Sequence, residues 1–132
     1  MERPQLQLTS ITIGTDDPRG LAAFYRELLG WQVTGDDPPE GEDPGWAQLK
    51  APAAAAPGPT LNFEGERLFQ RPVWPSTEGG QNATQHLDIW VQDLDAATEW
   101  ATSVGAVLAD FQPQDDVRVL FDPSGHPFCL FR

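Results

Sequence analysis

At 132 residues the chain has the size of one domain, and halves of about 60 residues would each struggle to bury a core, so a shared one is expected. With 39% hydrophobic residues and no apolar run near the roughly 18 that cross a bilayer, no membrane span is expected. The start, MERPQLQLTS, has no basic region followed by an apolar stretch, which predicts no secretory leader and a cytoplasmic location. Twenty acidic residues against 8 basic ones, a formal charge of -12, repel a phosphate backbone and exclude nucleic acid as an expected partner. The single cysteine, Cys129, excludes an internal disulfide and every multi-cysteine zinc site.

The first strand is predicted over residues 6–15, where LQLTSITIGT alternates around Ile11 and Ile13. Asp17 then stands where an N-cap is wanted and Pro18 at the first helical position, where its missing N–H costs nothing. Leu21, Phe24, Tyr25, Leu28 and Leu29 form one apolar helical stripe, and Gly30 supplies the left-handed stop. Further strands are predicted at 31–34, 46–50 and 60–63, the second following an acidic turn-rich loop. The Ala/Pro-rich spacer APAAAAPGP predicts a mobile hairpin tip. From 65 to 83, charges, Pro72, Pro75 and Gly79-Gly80 mark a linker between two halves.

A second unit is predicted from residue 84. TQHLDIWV places His86, Asp88 and Trp90 on one side of a strand and Leu87, Ile89 and Val91 on the other. Asp93 caps a helix whose stripe is Leu94, Ala97, Trp100, Ala101 and Val104, ended by Gly105. Strands at 106–109, 116–121 and 128–131 follow, the last two joined by the DPSG turn. Ile11, Ile13, Asp17, Phe24 and Leu28 recur as Leu87, Ile89, Asp93, Trp100 and Val104 at one spacing of 76 (87 minus 11), the pattern of a duplicated unit. The fold class read from this is α+β, two tandem βαβββ modules: module one about 6–64, linker 65–83, module two about 84–132.

Two segments, ITIGTDDPRGLAAFYRELLGW and the ending DPSGHPFCLF, resemble the glyoxalase-like branch of the glyoxalase, bleomycin-resistance and extradiol-dioxygenase superfamily, the vicinal oxygen chelate proteins. The likeness runs over nearly the whole chain. It implies a cupped, partly closed sheet with helices outside, one cavity between the modules, and a homodimer. Members with a metal take ligands from the first and last strands of each module, commonly His or Gln from the first and Glu from the last, and the ion acts there as a Lewis acid.

Carried over position by position, the first strands offer Ser10 and His86, and the closing strands offer Asn62 and Cys129, with Glu64 two residues past Asn62. Only His86 has the family's ligand type, and Glu64 is the other weak candidate. A hard-oxygen site does not assemble from such donors, so no cofactor is expected, a divalent metal being the minority reading.

The expected function is binding of a small organic molecule in the cavity. Trp46, Phe63 and Trp90 would form apolar walls, His86, Asp88 and Asn62 would orient the ligand, Ser10 and Thr12 would leave room, and Cys129 would complete the lining. The alternative is a lyase, isomerase or dioxygenase with His86 as metal ligand or general base, since imidazole as a class titrates near 6.5, at about the pH of catalysis. No GxSxG elbow and no glycine-rich phosphate loop is present.

Overall fold

A computed structural model describes residues 1–55 and 57–132, so one residue of the expected hairpin tip, Ala56, lies outside the described residues. The chain forms two compact units, Met1–Glu66 and Arg67–Arg132. Each contains one βαβββ module, so the expected α+β repeat is present.

In the first unit β1 (Ser10–Thr15) leads into α1 (Pro18–Leu29), followed by β2 (Gln32–Asp37), β3 (Trp46–Lys50) and β4 (Thr60–Gly65). The sheet order is β1-β4-β3-β2, with β1 parallel to β4 and the other pairs antiparallel. The Asp17 carboxylate accepts the Gly20 N–H at 3.0 Å, closing the start of α1, and Gly30 ends it at φ 69, donating its N–H to the Arg26 carbonyl at 2.9 Å. Leu21, Phe24 and Tyr25 of α1 are buried with Ala47, Leu49, Leu61 and Phe63 of the sheet. The alternate residues of β1, β3 and β4 therefore form the face turned away from the helix.

In the second unit β5 (Leu87–Trp90), α2 (Leu94–Ser103), β6 (Val107–Leu108), β7 (Val117–Phe121) and β8 (Pro127–Phe131) repeat the plan, with sheet order β5-β8-β7-β6. Each unit thus carries its own open four-stranded sheet, consistent with the expected fold of two tandem modules. The repeat extends to the ladders: Ile11 pairs with Leu61 and Thr12 with Asn62, as Leu87 pairs with Phe128 and Asp88 with Cys129.

Helix α2 is the weaker copy. The Asp93 carboxylate caps it at 3.0 Å, yet only Leu94 and Ala101 of its residues are buried. Trp100, expected within the apolar stripe, is half exposed. A Trp ring is wider than the Phe24 that it replaces in the repeat, and the hydroxyls of Thr98, Thr102 and Ser103 turn back onto helix carbonyls instead of adding apolar cover.

The segment 67–83 is also different from a free linker. The Trp74 ring lies 5.9 Å from that of Phe111 and 6.3 Å from that of Phe121, and the Arg71 guanidinium donates to the Pro123 carbonyl at 2.9 Å. Aromatic anchors among its prolines fasten this segment onto the second unit.

Candidate functional site

The second unit assembles its site from one strand pair. Leu87 and Ile89 of β5 are half-buried, so strand alternation turns Asp88 and Trp90 to the exposed face, and Trp90 is 65% exposed. His86 stands immediately before β5, its Nε2 3.1 Å from Asp88 Oδ1. The parallel register sets Asp88 directly across from Cys129 of β8.

Burial first, then the negative charge of Asp88 and a hydrogen bond to its carboxylate, push the Cys129 thiol pKa up. The ligating atoms of His86, Asp88 and Cys129 all lie within 4.8 Å of one another. Asp88 is the middle member, bonded on one side to an imidazole and on the other to a thiol. A cysteine nucleophile needs the opposite arrangement, with imidazole next to sulfur and the thiolate favoured. The trio therefore lacks the pairing of a cysteine nucleophile, and burial with the Asp88 charge favours the neutral thiol.

The first unit presents an uncharged network at the corresponding place. Ser10 Oγ lies 2.8 Å from Thr60 Oγ1, and the Asn62 amide oxygen accepts from Gln48 Nε2 at 2.8 Å and from the Thr60 hydroxyl at 3.1 Å. The Thr34 hydroxyl donates to Gln48 Oε1 at 3.0 Å and extends the chain across β3. At one end of this face the Trp46 indole occupies the space over Gly35 at the β2 bulge, where any Cβ would collide with the ring. Thr12 is exposed beside Asn62.

Of the residues expected to line one cavity, the structure places Ser10, Thr12, Trp46 and Asn62 on one face of the first unit's sheet, and His86, Asp88, Trp90 and Cys129 together in the second unit. Phe63 requires correction. It is fully buried and stacks on Tyr25 of α1 with ring centroids 5.6 Å apart, so it belongs to the core under the helix and not to the wall of a ligand site. Strand period 2 already separates it from Asn62.

Glu64 is exposed on the same face as Asn62, paired across the strands with Gly14 and Trp46. It is not part of the one described cluster whose donors could hold a metal, that of His86, Asp88 and Cys129. Gln48 and Thr60 also belong to this face, and their alternation with Trp46 in WAQLK and with Asn62 in TLNF is the signal for it in the sequence. His126 is held in the DPSGH turn by the buried Asp122 carboxylate, 2.8 Å from its Nδ1, and serves that turn.

The four positions that would carry the family's metal do not suit a hard divalent ion. Both acceptor directions of the Asn62 amide oxygen are used, Ser10 is bonded to Thr60, and a thiol replaces the carboxylate on the closing strand.

Comparison with known proteins agrees with the fold. No curated protein matches the chain. Among solved structures, a mutant of the fosfomycin resistance protein FosX from Listeria monocytogenes, complexed with Mn(II) and 1S,2S-dihydroxypropylphosphonic acid, is similar with a TM-score of 0.65 at 16% identity, over 95% of this chain and 88% of that one. A glyoxalase family protein from Enterococcus faecalis is similar with a TM-score of 0.65 at 20% identity, over 96% and 97%. A glyoxylase/bleomycin resistance protein/dioxygenase domain from Frankia sp. EAN1pec gives 0.62 at 14%, over 97% and 98%. The family model described as glyoxalase-like domain matches residues 10–131, and the chain belongs to that family within the vicinal oxygen chelate superfamily.

Proposed function

We propose that this glyoxalase-like chain binds a small organic molecule, without the hard-metal site usual in its superfamily. The observation that carries the reading is the grouping of His86, Asp88 and Cys129 beside the exposed Trp90 on one sheet face. An aromatic surface next to a few convergent polar groups is the usual composition of a small-molecule site. Ser10, Thr12, Asn62 and Trp46 supply a second, uncharged patch of the same kind. Asp88 and the formal charge of -12 favour a cationic or hydrogen-bond-donating ligand. A homodimer and a cytoplasmic location belong to the same proposal, and among the described residues no helix is long and apolar enough to cross a membrane.

The test is a titration of the full chain with a panel of organic cations and hydrogen-bond donors, followed by tryptophan emission and calorimetry. His86→Ala and Trp90→Ala are each expected to weaken an identified ligand by roughly tenfold, about 1.4 kcal/mol. Unchanged affinity in both variants would overturn the assignment of this face. Sedimentation showing only monomer at micromolar concentration would remove the dimer.

One observation favours an enzymatic reading, a lyase, isomerase or dioxygenase. The 3.1 Å contact with Asp88 orients the His86 ring, as a carboxylate does for a general base. Under that reading His86→Gln abolishes turnover while ligand affinity stays within a few-fold, and Asp88→Asn lowers turnover by a smaller factor.

A further inference from the structure

The geometry points to a thiophilic cation site made of His86, Asp88 and Cys129 alone, within one strand pair of the second unit. It goes beyond the small-molecule reading and does not depend on it. A chain that binds cobalt but no organic ligand would keep this site and lose that function.

The donor set is one imidazole nitrogen, one carboxylate oxygen and one sulfur, all within 4.8 Å of one another. In a tetrahedral site with metal–ligand bonds of about 2.0 to 2.3 Å, donors stand roughly 3.3 to 3.8 Å apart. His86 and Asp88 are already at 3.1 Å, so the three converge on one ion with side-chain adjustments of about an ångström. The side chains of His86 and Asp88 are half exposed and can make that adjustment, while Cys129 is fixed by its place in β8. Exposure also leaves the fourth position to water, the arrangement of open zinc sites.

Ligand softness selects the ion. Sulfur with imidazole suits zinc, cadmium and cobalt, whereas manganese and magnesium favour oxygen. The set therefore differs in kind from the oxygen-rich site that the resemblance implies, since Cys129 stands where a carboxylate is usual and Asp88 is an added donor. On binding, the sulfur–hydrogen bond breaks, a sulfur–metal bond forms, and the proton leaves to solvent. Asp88, hydrogen-bonded to both partners in the free site, exchanges those bonds for one to the ion.

Cobalt(II) is the probe. Titrated into the full chain, it is expected to produce the near-ultraviolet sulfur-to-cobalt charge-transfer band, saturating at one ion per chain. Zinc or cadmium should then abolish the band, and manganese at the same concentration should leave it. His86→Ala and Asp88→Asn, both at exposed positions, should weaken cobalt by at least about tenfold, a loss of the size seen when a metal site's supporting residues are removed. Cys129→Ser should remove the band and lower the cobalt retained after desalting. No band in the parent chain, unchanged affinity in both His86→Ala and Asp88→Asn, or undiminished cobalt retention by Cys129→Ser would each overturn the site.

Discussion

Asp88 determines the character of its neighbours. Its carboxylate lies 3.1 Å from the His86 ring on one side, and on the other it adds to the rise in the Cys129 thiol pKa that burial chiefly causes. The thiol is thus less ionised at neutral pH than a free cysteine, whose pKa is about 8.5. Alkylation by iodoacetamide near pH 8 is expected to be several-fold slower than for a small-molecule thiol, and Asp88→Asn should speed it by removing the charge and weakening the hydrogen bond. Mass-spectrometric time courses at a series of pH values check both points, the rate rising later in pH for the parent than for the variant.

Phe63 and Trp90 show how much a neighbouring face decides. Phe63→Ala should cost about 3 to 5 kcal/mol, because a fully buried ring stacked on Tyr25 leaves a cavity. Trp90→Ala should stay within about 0.5 kcal/mol, since the ring is mostly in solvent. Urea unfolding measures both.

Caps and turns hold the elements in register. Asp17→Ala removes the acceptor for the Gly20 N–H and should destabilise by about 1 kcal/mol, read as a lower urea midpoint. The DPSGH turn depends more heavily on one group. The buried Asp122 carboxylate accepts the N–H groups of Ser124 and His126 at 2.9 and 3.0 Å and also holds the His126 ring. Asp122→Ala leaves these donors in a dry site, and a loss of about 3 kcal/mol is expected, several times that of the surface cap.

For the molecule as a whole, charge is the dominant long-range feature. A formal charge of -12 spread over 132 residues repels itself, and salt screens that repulsion with a Debye length of about 8 Å at 0.15 M. Thermal stability should therefore rise from low ionic strength to physiological salt. The surface ion pair between Arg19 and Asp36, at 2.7 Å, is too exposed to reverse this trend. Scanning calorimetry at several sodium chloride concentrations tests the direction, and a falling Tm would show that specific ion pairs outweigh net repulsion.

Much of this architecture was legible in the sequence. Caps Asp17 and Asp93, the stop Gly30, the Leu21–Phe24–Tyr25 face and the alternation through His86, Asp88 and Trp90 are local signals, because helix and strand periods act over a few residues. The constant spacing between the copies identified the repeated module for the same reason. Strand pairing is not local, and only the tertiary structure decided it. Parallel register placed Cys129 beside Asp88, and Asn62 beside Thr12. Gln48 from the neighbouring strand and Thr60 two residues back on the same strand then both donate to the Asn62 amide oxygen, which no residue announces alone. Likewise the sequence supplied Phe69 and Trp74 within a charged, proline-rich stretch, but their anchoring on His126, Phe111 and Phe121 required the fold. Periodicity determined which face each residue would take; contacts between distant segments determined what stood next to it.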